Sequence, residues 1–321
     1  MGPRTFTVAR PRAGIESPQP PRHGTAASAS PFTPSQRGRL SARRPLSTGV
    51  RPSPPPRGAH TPRFGDQPTP PIPRPGDHPP SHSKILPLGE ISKPSLPDES
   101  VKLTGNYCYL EVLDADKHCA DLWSVYSLDT DGRLWTYMPQ GPFKSEAEYR
   151  VWVEGAHHKA DPFFYAIIDS ETNKAVGVAS FLRVDPVSSS IEVGWITYSP
   201  AIQQKPIATE SMYLMMKYAF DLGYRRYEWK CNALNTKSRY AAQRLGFSYE
   251  GVFRQMSISK GRNRNTAWFA AIDKEWPALK ASFETYLSDD NFAADGRPKK
   301  ALSGLTKPLL YKRDTFEFGS E

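Results

Sequence analysis

The sequence predicts an α/β protein of the α+β kind, with a mixed, mostly antiparallel sheet flanked by helices and a disordered N-terminal tail. Three observations lead there. Of the 32 prolines, 23 fall in residues 1–100, so regular structure must lie beyond them. From about residue 105, runs of period two and runs of period 3.6 succeed one another in the order βααβββαβαββ, closed by a last helix. Finally, the runs 163–168, 175–184 and 190–198 are joined by Asp169-Ser-Glu-Thr-Asn-Lys174 and Asp185-Pro-Val-Ser-Ser189, short linkers of the hairpin type.

In chain order, Tyr107–Leu113 reads as the first strand. Asp114 or Asp116 then caps a helix over Lys117–Leu128, since a short carboxylate accepts the first free amides. A turn-rich loop spans Asp129–Phe143, and a second helix starts near Ser145 with Glu146 and Glu148 in its first turn. Three strands follow, the last being Ile191-Glu-Val-Gly-Trp-Ile-Thr-Tyr198. Met212, Met215, Met216, Ala219 and Phe220 then repeat at helical spacing, with Gly223 as the stop. Tyr227–Cys231 alternates as a strand, and Asn235 caps a short helix over Thr236–Leu245 before Gly246. Phe247–Ile258 and Ala267–Ile272 form a last hairpin with a basic, mobile tip over residues 259–265. The final helix, Glu275–Leu287, carries Trp276, Leu279, Phe283 and Leu287 on one side.

Charge divides as proline does. Residues 1–100 hold 14 Lys+Arg against 6 Asp+Glu, and the rest 28 against 27, so the net +9 belongs almost wholly to the tail. The expected organisation is a disordered tail over 1–100, a domain over 101–290 and a C-terminal extension over 291–321. Three readings of the tail stay open: a solvated extension, a mitochondrial transit peptide, and an arm docking on nucleic acid or a Pro-binding partner. No apolar run reaches 18 residues and no signal-peptide core is visible, so neither a membrane span nor a secretory leader is expected. Cys108, Cys119 and Cys231 form an odd set without C-x-x-C, pointing to a reducing, cytoplasmic compartment, with mitochondria the alternative. His118, His157 and His158 lack metal-ligand spacing and read as surface histidines, so no metal is expected.

The chemistry concentrates after Tyr198. A polar loop, Ser199–Lys205, feeds a helix N-terminus whose unpaired amides and positive dipole end suit a phosphate, with Lys205 as a mobile cation. Every βα turn has such an end, so this signal alone is generic. It lies beside residues 231–238 at the C-terminal ends of neighbouring strands, where open α/β sheets bind ligands.

Together, Ile191–Pro200, Gln203-Gln-Lys-Pro-Ile-Ala-Thr-Glu210 and Asn235-Thr-Lys-Ser-Arg-Tyr-Ala-Ala-Gln-Arg-Leu-Gly-Phe247 resemble the Gcn5-related N-acetyltransferase (GNAT) family, in its RimJ/RimL-like branch. The resemblance covers residues 101–290 and none of the tail. It implies the GNAT acyl-CoA fold, acetyl-CoA as co-substrate, and direct attack of a primary amine in a ternary complex. The acceptor is a small molecule or a protein N-terminus. The assembly is a monomer or homodimer, and nucleic acid enters only through the tail. The alternative is a non-catalytic interaction protein that keeps this fold and docks through its basic, Pro-rich tail.

By the same resemblance, Ile196, Thr197 and Tyr198, splayed from the neighbouring strand, hold the pantetheine arm. Gln203, Gln204, Lys205, Ile207, Ala208 and Thr209 hold the pyrophosphate. Pro206 stands where the family has glycine and offers no N–H, which weakens the loop. Asn235 contacts pantetheine. Ser238 is the candidate acid for the departing thiolate, or simply a first-turn partner of Asn235. Removing a proton from the amine requires a base, and Glu192 is the candidate, expected on the same strand side as Gly194 and Ile196; a salt bridge at the sheet edge is its other reading. Trp135 and Tyr137 either wall the acceptor or pack in the core, and Asp131, Glu146 and Glu148 are candidate acids near that loop.

Overall fold

The computed structural model describes residues 92–157 and 159–316. The expectations for residues 1–91, for His158 and for residues 317–321 lie outside the described residues. Eight strands form one sheet in the order β1-β2-β3-β4-β5-β6-β8-β7. The strands are β1 (Leu103–Thr104), β2 (Cys108–Val112), β3 (Phe163–Asp169), β4 (Ala175–Asp185), β5 (Ser190–Tyr198), β6 (Arg226–Asn232), β7 (Ser248–Ser259) and β8 (Arg262–Ile272). All neighbouring pairs are antiparallel except β5 with β6.

On one face lie α1 (Ala115–Tyr126) and α2 (Glu146–Ala156), enclosing a core that includes Leu122, Tyr149, Val153, Phe164 and Ile168. On the other lie α3 (Pro206–Asp221), α4 (Thr236–Arg244), α5 (Trp276–Leu287) and α6 (Leu302–Thr306), around Phe181, Met215, Tyr227, Phe247 and Phe283. The central strands are covered on both sides, so β3 is buried almost throughout, without the alternation of a half-exposed strand. Local rules set the helix entries. Asp114 accepts from the amides of Asp116 and Lys117, and Ser145 and Glu148 cap α2 reciprocally, Ser145 Oγ accepting from Glu148 N and Glu148 Oε2 from Lys144 N.

Two features depart from the sequence reading, and a third adds to it. Residues 92–100, grouped with the tail on composition, lie against α3: Ser95 N donates to Leu222 O and Asp98 N to the Tyr218 hydroxyl. Strand β8 starts at Arg262, so the hairpin turns at Lys260-Gly261, both with positive φ. The polar run 262–265 hid that strand because its side chains carry no apolar alternation. The C-terminal extension is folded as well: Leu302 and Thr306 are buried, and Thr306 Oγ donates to Arg244 O.

Candidate active site

Strand β5 builds the site by leaving its partner. It runs parallel to β6 from the pair Ser190–Arg226 to the pair Val193–Trp229 and no further. Beyond that point β5 bends at Trp195, which has φ 52°, and the β4–β5 register shifts between Val178 and Ser180. A tryptophan in the left-handed region costs on the order of 1–3 kcal/mol, to be offset by its surroundings. Its indole stacks on Trp152 at 6.5 Å and meets Phe164 edge-on at 5.7 Å. The segments 194–198 and 230–232 therefore part into a wedge. The bend also corrects an expectation: Ile196 packs with Tyr198 against the α3-side core, on the face opposite Glu192, because one irregular residue resets the alternation.

One wall of the wedge is the entry to α3. Gln204 takes φ 63°, Lys205 is the N-cap residue and Pro206 occupies the first helical turn. Two of the amides expected to be free are engaged locally: Lys205 N donates to Ile202 O and Ala208 N to Lys205 O. The Ile207 amide has no backbone acceptor outside the helix among the described residues. Gln203, Gln204 and Lys205 are exposed, whereas Ile207, Ala208 and Thr209 turn inward. Thr209 Oγ accepts from Arg244 Nη1 at 3.0 Å, which brings a guanidinium from the end of α4 to the start of α3. Arg244 was not singled out from sequence, because nothing local links it to a helix that begins 38 residues earlier.

The other wall is the β6–α4 turn. Asn235 Oδ1 accepts from Ser238 N at 3.2 Å, the cap read from sequence. Ser238 Oγ accepts from the Trp229 indole N–H at 3.1 Å, an arrangement that leaves the hydroxyl proton available to donate elsewhere. Cys231 lies close by, and burial pushes its thiol up to about 11, with Ser238 and Arg239 pulling the other way.

Glu192, 3 % exposed, is held by two cations through one oxygen. Its Oε2 accepts from Arg183 Nη1 at 2.6 Å and lies 2.8 Å from Lys230 Nζ. Lys230 also meets Glu228 Oε2 at 2.6 Å and sits 3.9 Å from the centre of the Trp268 ring. Glu228 continues to Arg226, and Arg226 to Glu250. This ladder realises the salt-bridge reading of Glu192, yet Oε1 stays outside those contacts, beside Gly194 where the strands begin to part. Burial raises the Glu192 carboxyl above its ordinary range although both cations oppose it. For Glu228 burial acts in the same sense, but Lys230 and Arg226 prevail and its carboxyl lies below the ordinary range.

The loop between α1 and α2 closes over this region. Tyr137 donates its hydroxyl to Leu234 O at 3.1 Å, next to the Asn235 cap. Lys260, at the hairpin turn, donates to Trp135 O at 2.8 Å and to Gly141 O at 2.9 Å, so this tip is anchored where the sequence suggested mobility. Trp135 itself is 4 % exposed and packs edge-on against Tyr126 and Phe143. Its side chain is core, the second of the two readings, because packing against Tyr126 and Phe143 buries more apolar area than an open wall could. Glu148 serves its cap, and Asp131 pairs with Arg133 at the surface. His118 is buried in α1, accepting from Asp114 N through Nδ1 and meeting Glu111 through Nε2, contrary to the surface placement read from sequence. Among the described residues no three His, Cys, Asp or Glu gather as a metal site, and no helix is long and apolar enough to cross a membrane.

A family model described as "Acetyltransferase (GNAT) domain" matches residues 115–248. A crystal structure of a GCN5-related N-acetyltransferase from Brucella melitensis is 40 % identical, with TM-score 0.67, over 68 % of this chain and all of that one. A probable GNAT acetyltransferase from Chromobacterium violaceum is 33 % identical, with TM-score 0.58, over 63 % of this chain and all of that one. The ribosomal-protein-serine acetyltransferase of Escherichia coli is 29 % identical over 35 % of this chain and 63 % of that protein.

Proposed function

Since the chain belongs to the GCN5-related N-acetyltransferase family and is an N-acetyltransferase of that kind, we propose that it moves acetyl from acetyl-CoA to a primary amine in a ternary complex. The observation that carries this is the parting of β5 from β6 after Val193–Trp229, with the α3 entry on one side and Asn235 and Ser238 on the other. Acetyl-CoA would supply the acetyl thioester. Exposed Gln203, Gln204 and Lys205, the Ile207 amide and the Arg244 guanidinium are of the chemistry that holds a pyrophosphate. Ile196, Thr197 and Tyr198 would hold the pantetheine arm, with Ala208 and Thr209 shaping the helix entry. The Thr197 carbonyl already accepts from the Tyr126 hydroxyl, so that oxygen is committed within the fold.

Glu192 acts as base through a water at Oε1, since Oε2 is occupied by Arg183 and Lys230. Ser238, which accepts from Trp229, donates its proton to the departing thiolate. Tyr137 bounds the acceptor side, its hydroxyl turned to Leu234 O. A protein N-terminus is the favoured acceptor, by likeness to the ribosomal-protein-serine acetyltransferase, with a small amine as the other candidate. Three free, buried cysteines support a reducing compartment such as the cytoplasm.

The test is calorimetric titration of the full chain with acetyl-CoA, followed by labelled acetyl-CoA with amines, peptides and ribosomal proteins. Saturable binding and release of free CoA with one acceptor class are expected. No affinity for acetyl-CoA sinks the proposal.

A further inference from the structure

The most buried ion pair outside the Glu192 ladder joins α4 to a segment that the family model does not reach. Asp314, with its side chain 1 % exposed, accepts from both Arg239 Nε at 2.6 Å and Arg239 Nη2 at 2.7 Å. This is the fork-to-fork geometry in which a guanidinium is fixed in direction as well as position. Arg239 is itself 4 % exposed, and its Nη1 donates to Ala233 O at 2.8 Å. The Phe316 ring lies 4.3 Å from the guanidinium carbon.

The backbone around Asp314 is pinned as well. Asp314 N donates to Gln243 Oε1, the Lys312 carbonyl accepts from Tyr249 N, and Tyr311 N donates to Ser248 Oγ. The segment 311–316 thus runs across the start of β7 and along α4 without secondary structure of its own.

What Arg239 grips matters. Ala233 opens the β6–α4 turn, Asn235 caps α4, and Ser238 precedes Arg239 by one residue. Both candidate site residues on this wall are therefore bracketed by a single guanidinium, held from outside the turn by Asp314. Burying such a pair rarely adds net stability relative to an apolar contact, so its worth lies in fixing geometry. We propose that the C-terminal segment is a working part of the site: Asp314 is a positioning residue that, through Arg239, sets the Asn235–Ser238 turn for the pantetheine end of acetyl-CoA. The inference rests on the acetyl-CoA reading of the cleft.

The experiment uses the full chain and measures CoA and acetyl-CoA binding by calorimetry, with thermal unfolding alongside. Asp314→Ala is expected to weaken both about tenfold, within the usual range of site-to-site coupling, at a temperature where the variant is still folded. Asp314→Glu, which can still reach the guanidinium, should recover most of the affinity. Val153→Ala, a cavity in the opposite core, serves as the stability control and should lower the melting temperature without changing affinity. Hydrogen exchange should quicken at residues 233–239 in Asp314→Ala and not in the control. Unchanged affinity in a folded Asp314→Ala protein, or a loss matched by Val153→Ala, overturns the inference. If the unaltered chain binds no CoA, the reading of the cleft fails first. If Asp314→Ala does not fold, Asp314→Asn carries the same comparison, since it removes the charge and keeps an acceptor.

Discussion

At the scale of single residues, two carboxylates show how environment decides use. Glu210 is buried and takes three backbone amides, those of Asn106 at 2.8 Å, Tyr107 at 2.6 Å and Cys108 at 2.8 Å. A Cβ at Gly105 would run into that carboxyl, so glycine is required for the close approach. Glu210→Ala leaves three donors without an acceptor and should cost about 3 kcal/mol in denaturant unfolding. Glu192 is buried among cations, which engage one of its two carboxyl oxygens. Burial favours its neutral form, so its proton leaves above the ordinary glutamate range. The acid limb of kcat/KM should lie there and vanish in Glu192→Gln, while acetyl-CoA affinity is kept. The linked stability has a definite sign: between the ordinary value and the raised one the folded chain holds the extra proton, so stability falls as pH rises through that window. Ser238→Ala should lower kcat by roughly 100-fold or more, the scale of a positioned proton donor, and leave Asn235 capping α4.

Elements carry the next level. The start of α3 combines a left-handed Gln204 with Pro206 in the first turn. Pro206→Gly restores an amide but frees the entry, and acetyl-CoA affinity in calorimetry should be equal or tighter. A clear weakening would mean that the fixed φ of proline outweighs the missing donor. The loop between α1 and α2 is held from outside by Lys260 and reaches out through the Tyr137 hydroxyl to Leu234 O. Lys260→Ala should raise hydrogen exchange across residues 133–141 and leave the sheet protected, because two carbonyls lose a charged donor at the surface while the aromatic core around Trp135 stays packed.

For the whole molecule, residues 92–316 fold as one body around the sheet, with both the 92–100 segment and the C-terminal segment bonded to it. A chain starting at residue 101 lacks the bonds to Leu222 and Tyr218 and should melt at a lower temperature than one starting at residue 92. Element order was legible because hairpin linkers, caps and periodic apolar runs are local: Ser145 with Glu148 and Asn235 with Ser238 meet within one turn. The Asp314–Arg239 pair spans 75 residues and Arg244–Thr209 spans 35, and no local pattern marks such partners. Composition misled at residues 92–100, where prolines accompany docking instead of disorder, and at 262–265, where a polar run extends a strand.

The sequence by itself determined the order of strands and helices, the caps and the turns, and the family those motifs resemble. It did so because each depends on residues a few positions apart and on their φ preferences. Only the tertiary structure decided which face Ile196 takes after the bend at Trp195, that Trp135 is core, that Glu192 is held by Arg183 and Lys230 through one oxygen, and that the chain's last described residues brace α4. Those outcomes turn on burial and on distant charges brought together by the sheet, whose energies exist only once the chain has closed around them.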